Sequence, residues 1–407
     1  YKIYGHIYCL RYAVNEALAS QALSLAGVRV IEFCEVAAGP YCAMLLADQG
    51  ADVIKVERPA GDAMRSWPPM SEGFSENFAS INRNKRSICL DLKDPVDVAH
   101  AKQLVVTADV VIENFRPGVM DRLGLGYDAM SGVNPALIFC SISAFGQSGP
   151  RSNEGGFDLT MQAMAGVMSV TGEPGGSPVK CGVPVCDFVS GLYGAFGITS
   201  ALQSRSVTGV GQHIDVAMLG ATLAIGALQT SQYFGTGVDP EKLGSAHPRN
   251  APYQAFKAAD GHFGMAAGNN NLWKLVCGVV DRPDLCEQER FSNPTHRATN
   301  QVELRDLLED IFKTKPVDHW LVAFAAAGVP ASPINTYSEA LEDPQVEHMG
   351  WVQPLMLPNG VETTTFGPAL RINGQTTNVQ TPPPGLGDHT AEILAELEAD
   401  HERGQRR

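Results

Sequence analysis

Asp187 is the lone charge in a run of small and apolar residues, Cys181-Gly-Val-Pro-Val-Cys-Asp-Phe-Val-Ser-Gly-Leu-Tyr-Gly194. Taking an ionised carboxylate out of water is costly unless something pairs with it, so a carboxylate kept in such a run points to a nucleophile or a base. The residue equally suits the first turn of the helix suggested by Ser190-Gly-Leu-Tyr-Gly-Ala-Phe-Gly-Ile-Thr-Ser-Ala-Leu202, where its oxygens would accept backbone N–H bonds; capping and catalysis are compatible. Glycines 182, 191 and 194 allow close approach of a ligand or of another backbone. Asp158, in Gly155-Gly-Phe-Asp-Leu159, lies 29 residues upstream. Two carboxylates suit acid–base work in which one charge holds the other group protonated, and the alternative for Asp158 is a helix cap before Leu159-Thr-Met-Gln162. His247 and His262 are further candidate bases or structural histidines.

A second set is cationic. Arg58, Lys85, Lys93, Arg116 and Arg122 each follow or border a strand-like run, on the edge where open α/β sheets bind ligands, although each alone reads as a solvated charge. Arg83, Lys85 and Arg86, with Arg116 and Arg122, form local basic clusters that could hold phosphates. The first turn, Glu35-Val-Ala-Ala-Gly-Pro40, is neither G-x-G-x-x-G nor G-x-x-x-x-G-K-[ST], which argues against a standard NAD or ATP loop.

The elements that must position these residues begin with the β-branched run Leu25 to Phe33, a buried strand, followed by a helix from Tyr41 to Gln49 and a strand from Ala51 to Glu57. That is a β-α-β unit whose loop sits at a helix N-terminus, where anions are favoured. Strand-like runs at Ser87 to Leu92, Val110 to Glu113 and Ala136 to Ser141, with a helix from Val96 to Thr107, predict an α/β fold built on a doubly wound parallel, Rossmann-like sheet. Helical patterns cover Leu159 to Met168, Val189 to Leu202 and Ile214 to Thr230, and the Gly-, Pro-, His- and Asn-rich stretch from Gly235 to Pro252 reads as a linker. Helices are expected at Trp273 to Val280, Gln301 to Phe312, Val317 to Ala327 and His389 to Leu397, with strand and loop from Pro344 to Pro384.

The expected organisation is an N-terminal extension over 1–24, a large Rossmann-like domain over 25–225, a linker over 226–252 and a smaller α+β domain over 253–340. A return linker follows over 341–380, and a C-terminal helix over 381–407 rejoins the large domain. The first 24 residues lack the basic start and apolar run of a signal peptide.

With 44% hydrophobic and 18% charged residues the 407-residue chain is an ordinary globular one, and a formal charge of -14 argues against a general nucleic-acid or anionic-membrane binder. Nine cysteines without a C-x-x-C suggest neither a zinc site nor a disulfide framework, and fit a reducing cytoplasm. No run approaches the roughly 18 to 20 uninterrupted apolar residues of a membrane span. No metal and no permanently bound cofactor is expected.

Seven motifs in order give the chain a resemblance to the family III CoA-transferases, the CaiB/BaiF family. They are Val36-Ala-Ala-Gly-Pro-Tyr41, Gly50-Ala-Asp-Val-Ile-Lys-Val-Glu-Arg-Pro59, Asn82-Arg-Asn-Lys-Arg-Ser-Ile88, Glu113-Asn-Phe-Arg-Pro-Gly118, Leu123-Gly-Leu-Gly-Tyr127, Ser143-Ala-Phe-Gly-Gln-Ser-Gly-Pro150 and Gly385-Leu-Gly-Asp-His-Thr390. The resemblance spans about residues 25 to 397 and implies a CoA thioester as substrate, an aspartate nucleophile matched by Asp187, and an interlocked homodimer. It further implies that Arg58 meets a CoA phosphate. Leu90 to Lys93, Asn114, Phe115, Arg116, Arg122, Gly155, Gly156, Phe157 and Asp158 would line the nucleotide and pantetheine path, and Ala37 and Ala38 the loop near the thioester.

Racemases that resemble the family place a His immediately before the residue matching Asp158; this chain has Phe157, which moves no proton. Racemising an alpha carbon takes a base on each face, so transfer is favoured, with proton transfer by Asp158 and Asp187 on a 2-methylacyl-CoA as the alternative. Gly244-Ser-Ala-His-Pro-Arg-Asn-Ala-Pro-Tyr253 and Ala267-Gly-Asn-Asn-Asn271 resemble members acting on dicarboxylates such as succinate and glutarate rather than oxalate. The expected partners are therefore an acyl-CoA, a carboxylic acid and a second copy of the chain.

Overall fold

The computed structural model describes residues 23–405, so nearly all of the expected 1–24 extension lies outside the described residues. Six strands form one parallel sheet: β1 (Arg29–Phe33), β2 (Asp52–Glu57), β3 (Lys85–Cys89), β4 (Val110–Glu113), β5 (Ile138–Ser143) and β6 (His213–Ala217). Their order is β3–β2–β1–β4–β5–β6, the doubly wound arrangement that reverses between β1 and β4. Helices α1 (Ala38–Ala47), α2 (Pro95–Thr107), α3 (Asp158–Met164) and α4 (Val185–Thr208) belong to the same unit.

Because every strand neighbour is parallel and helices cover both faces, successive side chains enter opposite cores, which is why these strands read as continuous apolar runs. Val30, Val53, Val110, Ile112, Ile138 and Cys140 face a core shared with α1 and α4. Ile31, Phe33, Ile54, Ile88, Val111 and Phe139 face another, which Leu104 and Val105 of α2 and Ile393 and Leu397 of the closing helix Thr390–Gln405 complete. That helix is also tied to the sheet by Arg86, whose guanidinium meets Glu396 at 2.7 Å and Glu392 at 2.9 Å.

The chain divides into two compact units. One runs to Ala165 and includes Gly182–Thr230 and the chain from Pro344 onward; the other comprises Gly166–Cys181 and Ser231–Asp343. The second unit holds a three-stranded antiparallel sheet, β7 (Tyr253–Lys257), β8 (His262–Ala266) and β9 (Ala331–Pro333), in the order β9–β8–β7. Phe263 packs against Phe312 with ring centroids 5.1 Å apart, and Trp320 and Phe324 complete that aromatic core.

Several boundaries differ from the sequence expectation. The strand expected from Ser87 starts at Lys85, because the Lys85 ammonium is fully buried and paired with Glu32 at 2.8 Å, which a hydropathy pattern does not register. The helix expected from Ile214 begins only at Met218, since Ile214 and Val216 alternate with polar neighbours and pair with β5 as an edge strand. The helix expected over Leu159 to Met168 breaks at Gly166, which adopts a φ of 80°. Within the expected 226–252 linker, Ala227–Thr236 is helical, and Gly166–Cys181, expected inside the 25–225 domain, belongs to the second unit. Val185–Thr208 is long and apolar enough to cross a membrane by composition, yet Cys186, Ser190, Gly191, Gly194, Ile198 and Ala201 are buried in the fold.

Candidate active site

The reversal of strand order opens a crevice at the carboxyl ends of β1 and β4, the place where sheets of this kind bind ligands. Asn114, just after β4, closes the gap between the two strand ends. Its side-chain oxygen accepts the Glu35 N–H at 3.0 Å and its amide donates to the Glu35 carbonyl at 2.8 Å. Val36 is held at a φ of 67°, a left-handed conformation that a β-branched residue adopts only when its surroundings impose it. Asp62 imposes it by accepting the Val36 N–H at 3.2 Å. Asp62 is itself fixed by Lys55 at 2.9 Å, and Lys55 also pairs with Glu32 at 3.1 Å. Burial disfavours the Lys55 charge, but the carboxylates of Glu32, Asp62 and Glu57 outweigh it and hold the ammonium protonated.

Asp187 enters from α4. The residue preceding that helix, Pro184, has no side chain able to cap it, and Asp158, the first residue of α3, substitutes by accepting the Cys186 N–H at 3.0 Å. Asp187 thus sits in the first helical turn, where an anion is favoured, and among the described residues no ion pair or hydrogen bond engages its carboxylate. Burial, followed by the nearby Asp158 charge, pushes its pKa up to about 6. Glycine at 191 brings α4 onto α1: a Cβ there would lie 2.7 Å from the Ala38 carbonyl oxygen, and one at Gly194 would lie 2.9 Å from the Cys42 sulfur.

A cavity of about 440 Å³ collects these parts. It is lined by Ala37, Ala38, Asn114, Phe115, Arg116, Gly155, Gly156, Phe157 and Asp187, together with Glu35, Ser143, Glu154 and Met218. A neighbouring cavity of about 270 Å³ is lined by Arg58, Leu90, Lys93 and Asp91, and shares Glu35 and Phe115 with the first. Two residues of the expected set, Arg122 and Asp158, line neither. Both oxygens of Asp158 are occupied, one by Cys186 and the other by the Gln162 amide at 2.7 Å, so it positions the helix rather than facing the cavity. Arg116 forms no ion pair among the described residues, whereas Lys85, Arg83 and Arg86, expected as phosphate holders, are taken up by Glu32, Asp48 and Asp52 respectively. His247 and His262 belong to the second unit, and the His247 ring accepts the N–H groups of Arg249 and Asn250 at 3.1 Å each.

The sequence by itself assigns no role to Glu35 or Asp62. The available signal for Glu35 was its position, an acidic residue at the end of the first strand of a β-α-β unit; Asp62 and Glu154 carried none.

The cavity offers an unpaired, desolvated carboxylate beside a loop from β1 and a cationic approach from β4, an arrangement suited to attack on an activated acyl group. Comparison with known proteins agrees with that chemistry. Residues 25–390 match the profile of CoA-transferase family III. The chain is 40% identical to the succinate–glutarate CoA-transferase of Agrobacterium fabrum, over 92% of its length and 96% of the relative's. It is 38% identical to the human succinyl-CoA:glutarate CoA-transferase, over 92% and 86%. A crystal structure of a CAIB/BAIF family protein from Brucella suis superposes with a TM-score of 0.82 at 39% identity, covering 93% of this chain and all of that one. With its sheet order, its cavity and this span of likeness, the protein belongs to CoA-transferase family III and is an enzyme of CoA transfer.

Proposed function

We propose that the enzyme takes CoA from an acyl-CoA donor such as succinyl-CoA and passes it to a dicarboxylic acid, with Asp187 as nucleophile. The observation that carries this reading is the Asp187 carboxylate, desolvated and unpaired in the wall of the cavity at the strand-order reversal. The relatives named for succinate and glutarate support the substrate class.

In the proposed sequence an Asp187 oxygen attacks the donor thioester carbon, forming a mixed anhydride and releasing CoA thiolate. The thiolate then attacks the Asp187 carbonyl of the anhydride, giving an aspartyl-CoA thioester and the free donor acid. The acceptor carboxylate attacks that thioester and the two steps run in reverse, leaving Asp187 as it began. An anhydride keeps the acyl group activated throughout, so no external energy source enters. Arg58, Lys93 and Arg116 are the groups proposed to meet the phosphates of CoA. Phe157, 74% exposed, supplies no proton, and the engaged oxygens of Asp158 leave a racemase without a second base.

A second copy of the chain is proposed to cover the apolar face formed by Leu192 and Phe196 of α4, in keeping with the exposure of both side chains. A cytoplasmic setting is likewise proposed, supported by buried free thiols such as Cys34, Cys42 and Cys140.

Incubation with succinyl-CoA and a panel of acids, followed by mass spectrometry of the thioesters, tests the function. A new dicarboxyl-CoA is expected from the wild type and at least a thousandfold slower from Asp187→Ala, a loss on the order seen when a nucleophile is removed. Near-normal exchange by that variant overturns the mechanism, and deuterium uptake at the alpha carbon of a 2-methylacyl-CoA without exchange overturns the function.

A further inference from the structure

Glu35 is the one charged residue common to both cavities. Its backbone is clamped on both sides by Asn114, so the residue keeps its place at the junction when a ligand arrives. Its carboxylate lies 3.2 Å from the Arg58 Nε, which also donates to the Gly61 carbonyl at 3.1 Å. The pair is solvent-accessible, with Arg58 55% and Glu35 35% exposed, so it contributes little to stability and opens readily. Of the other carboxylates lining the smaller cavity, Asp62 pairs with Lys55 and Glu57 with Arg65, while Asp91 accepts the Lys93 N–H at 3.0 Å. Glu35 therefore places a negative charge against the one arginine of the smaller cavity, where an anionic ligand would need that arginine most.

We propose that Glu35 weakens the grip of Arg58 on CoA and so speeds departure of the CoA thioester, making it a specificity-determining residue for the nucleotide end of the substrate. The inference rests on the reading of the smaller cavity as the phosphate site. A transferase gains nothing from holding CoA equally tightly in every state, since uniform binding lowers KM without raising kcat, and release of product sets the turnover of many enzymes. A carboxylate already paired with Arg58 competes with a phosphate for that guanidinium and so opposes binding at the nucleotide end.

The test measures dissociation constants for CoA, and KM and kcat with succinyl-CoA and with succinyl-pantetheine, which lacks the nucleotide. It compares wild type, Glu35→Gln, Arg58→Ala and the double variant. Glu35→Gln is expected to bind CoA about tenfold more tightly, as removal of one opposing charge predicts, with KM and kcat for succinyl-CoA falling together. With succinyl-pantetheine the changes in KM and kcat should be much smaller than with succinyl-CoA, a split that a merely structural role would not produce, and the tightening should vanish in the Arg58→Ala background. If Arg58→Ala binds CoA as well as the wild type, the phosphate-site reading itself fails. Should Arg58→Ala bind weakly while Glu35→Gln binds CoA no better than wild type, that reading stands and the role of Glu35 is overturned.

Discussion

Asp158 accepts the backbone N–H of Cys186 at 3.0 Å, so the carboxylate from α3 caps the helix that presents Asp187 one residue later. One interaction thereby does two things: it satisfies a helix-terminal donor that Pro184 cannot reach with a side chain, and it sets a negative charge near the proposed nucleophile.

Asp158→Asn separates those effects, because an amide oxygen still accepts the Cys186 N–H but carries no charge. As the proposed nucleophile, Asp187 would attack only when ionised, so kcat/KM is expected to fall as pH drops below about 6 in the wild type. In Asp158→Asn that acid limb should move to lower pH with folding little changed, whereas Asp158→Ala should lose about 1 kcal/mol of stability through the missing cap. A pH–rate profile and urea denaturation check both, and an unmoved limb in Asp158→Asn shows that the Asp158 charge does not set Asp187.

Stability should also respond to pH through two raised carboxyls. Glu113, buried and accepting the Phe115 N–H at 2.9 Å, is pushed up to about 7 by burial, and Asp187 to about 6. Each binds its proton more tightly folded than unfolded, so its stabilising contribution is full below about pH 4 and is lost as pH rises through 6 and 7. Glu113→Gln and Asp187→Asn should each raise stability at pH 8 relative to wild type, by on the order of 1–3 kcal/mol, and flatten the dependence between pH 5 and 8. Denaturant midpoints across that range supply the measurement.

Gly191→Ala tests the close contact of α4 with α1. Its new Cβ would meet the Ala38 carbonyl at 2.7 Å and the Cys42 nitrogen at 3.2 Å, both backbone atoms that cannot swing aside. A net loss of about 1–2 kcal/mol is expected, even after the roughly 1 kcal/mol that alanine gains over glycine inside a helix. Because Ala38 lines the same cavity as Asp187, exchange should slow as well; unchanged stability would mean the helices separate without strain.

Arg116 lines the same cavity as Asp187 with no carboxylate partner among the described residues, and a Cβ at Gly155 would lie only 3.0 Å from its guanidinium. Arg116→Ala should raise KM for succinyl-CoA about tenfold with a smaller change in kcat, as the loss of a charge-assisted contact predicts, and Arg116→Lys should recover part of it. Steady-state kinetics decide this, and an unchanged KM removes Arg116 from the substrate path.

Much of the fold was legible because its signals are local. Val110–Glu113, Gln301–Phe312 and Val317–Ala327 follow the sequence expectation residue for residue, since a buried parallel strand and two helices each announce themselves by their own periodicity. Elements that depend on distant partners were not legible in the same way. Lys85 joins a strand only because Glu32, from another strand, neutralises it, and Ile214–Ala217 becomes a strand only because β5 offers an edge.

The same division holds at the active site. By its composition and motifs the sequence alone determined the family, the parallel sheet, and Asp187 as the carboxylate to watch, because an unexplained charge among apolar neighbours is visible in one dimension. Tertiary structure alone decided that Asp158 turns toward Cys186 rather than the cavity, that Arg83, Lys85 and Arg86 are consumed by internal carboxylates, and that Glu35 faces Arg58. The reason is physical: a charged group acts through whatever lies within a few ångströms of it, and for these residues that neighbour comes from a segment 23 to 53 residues away.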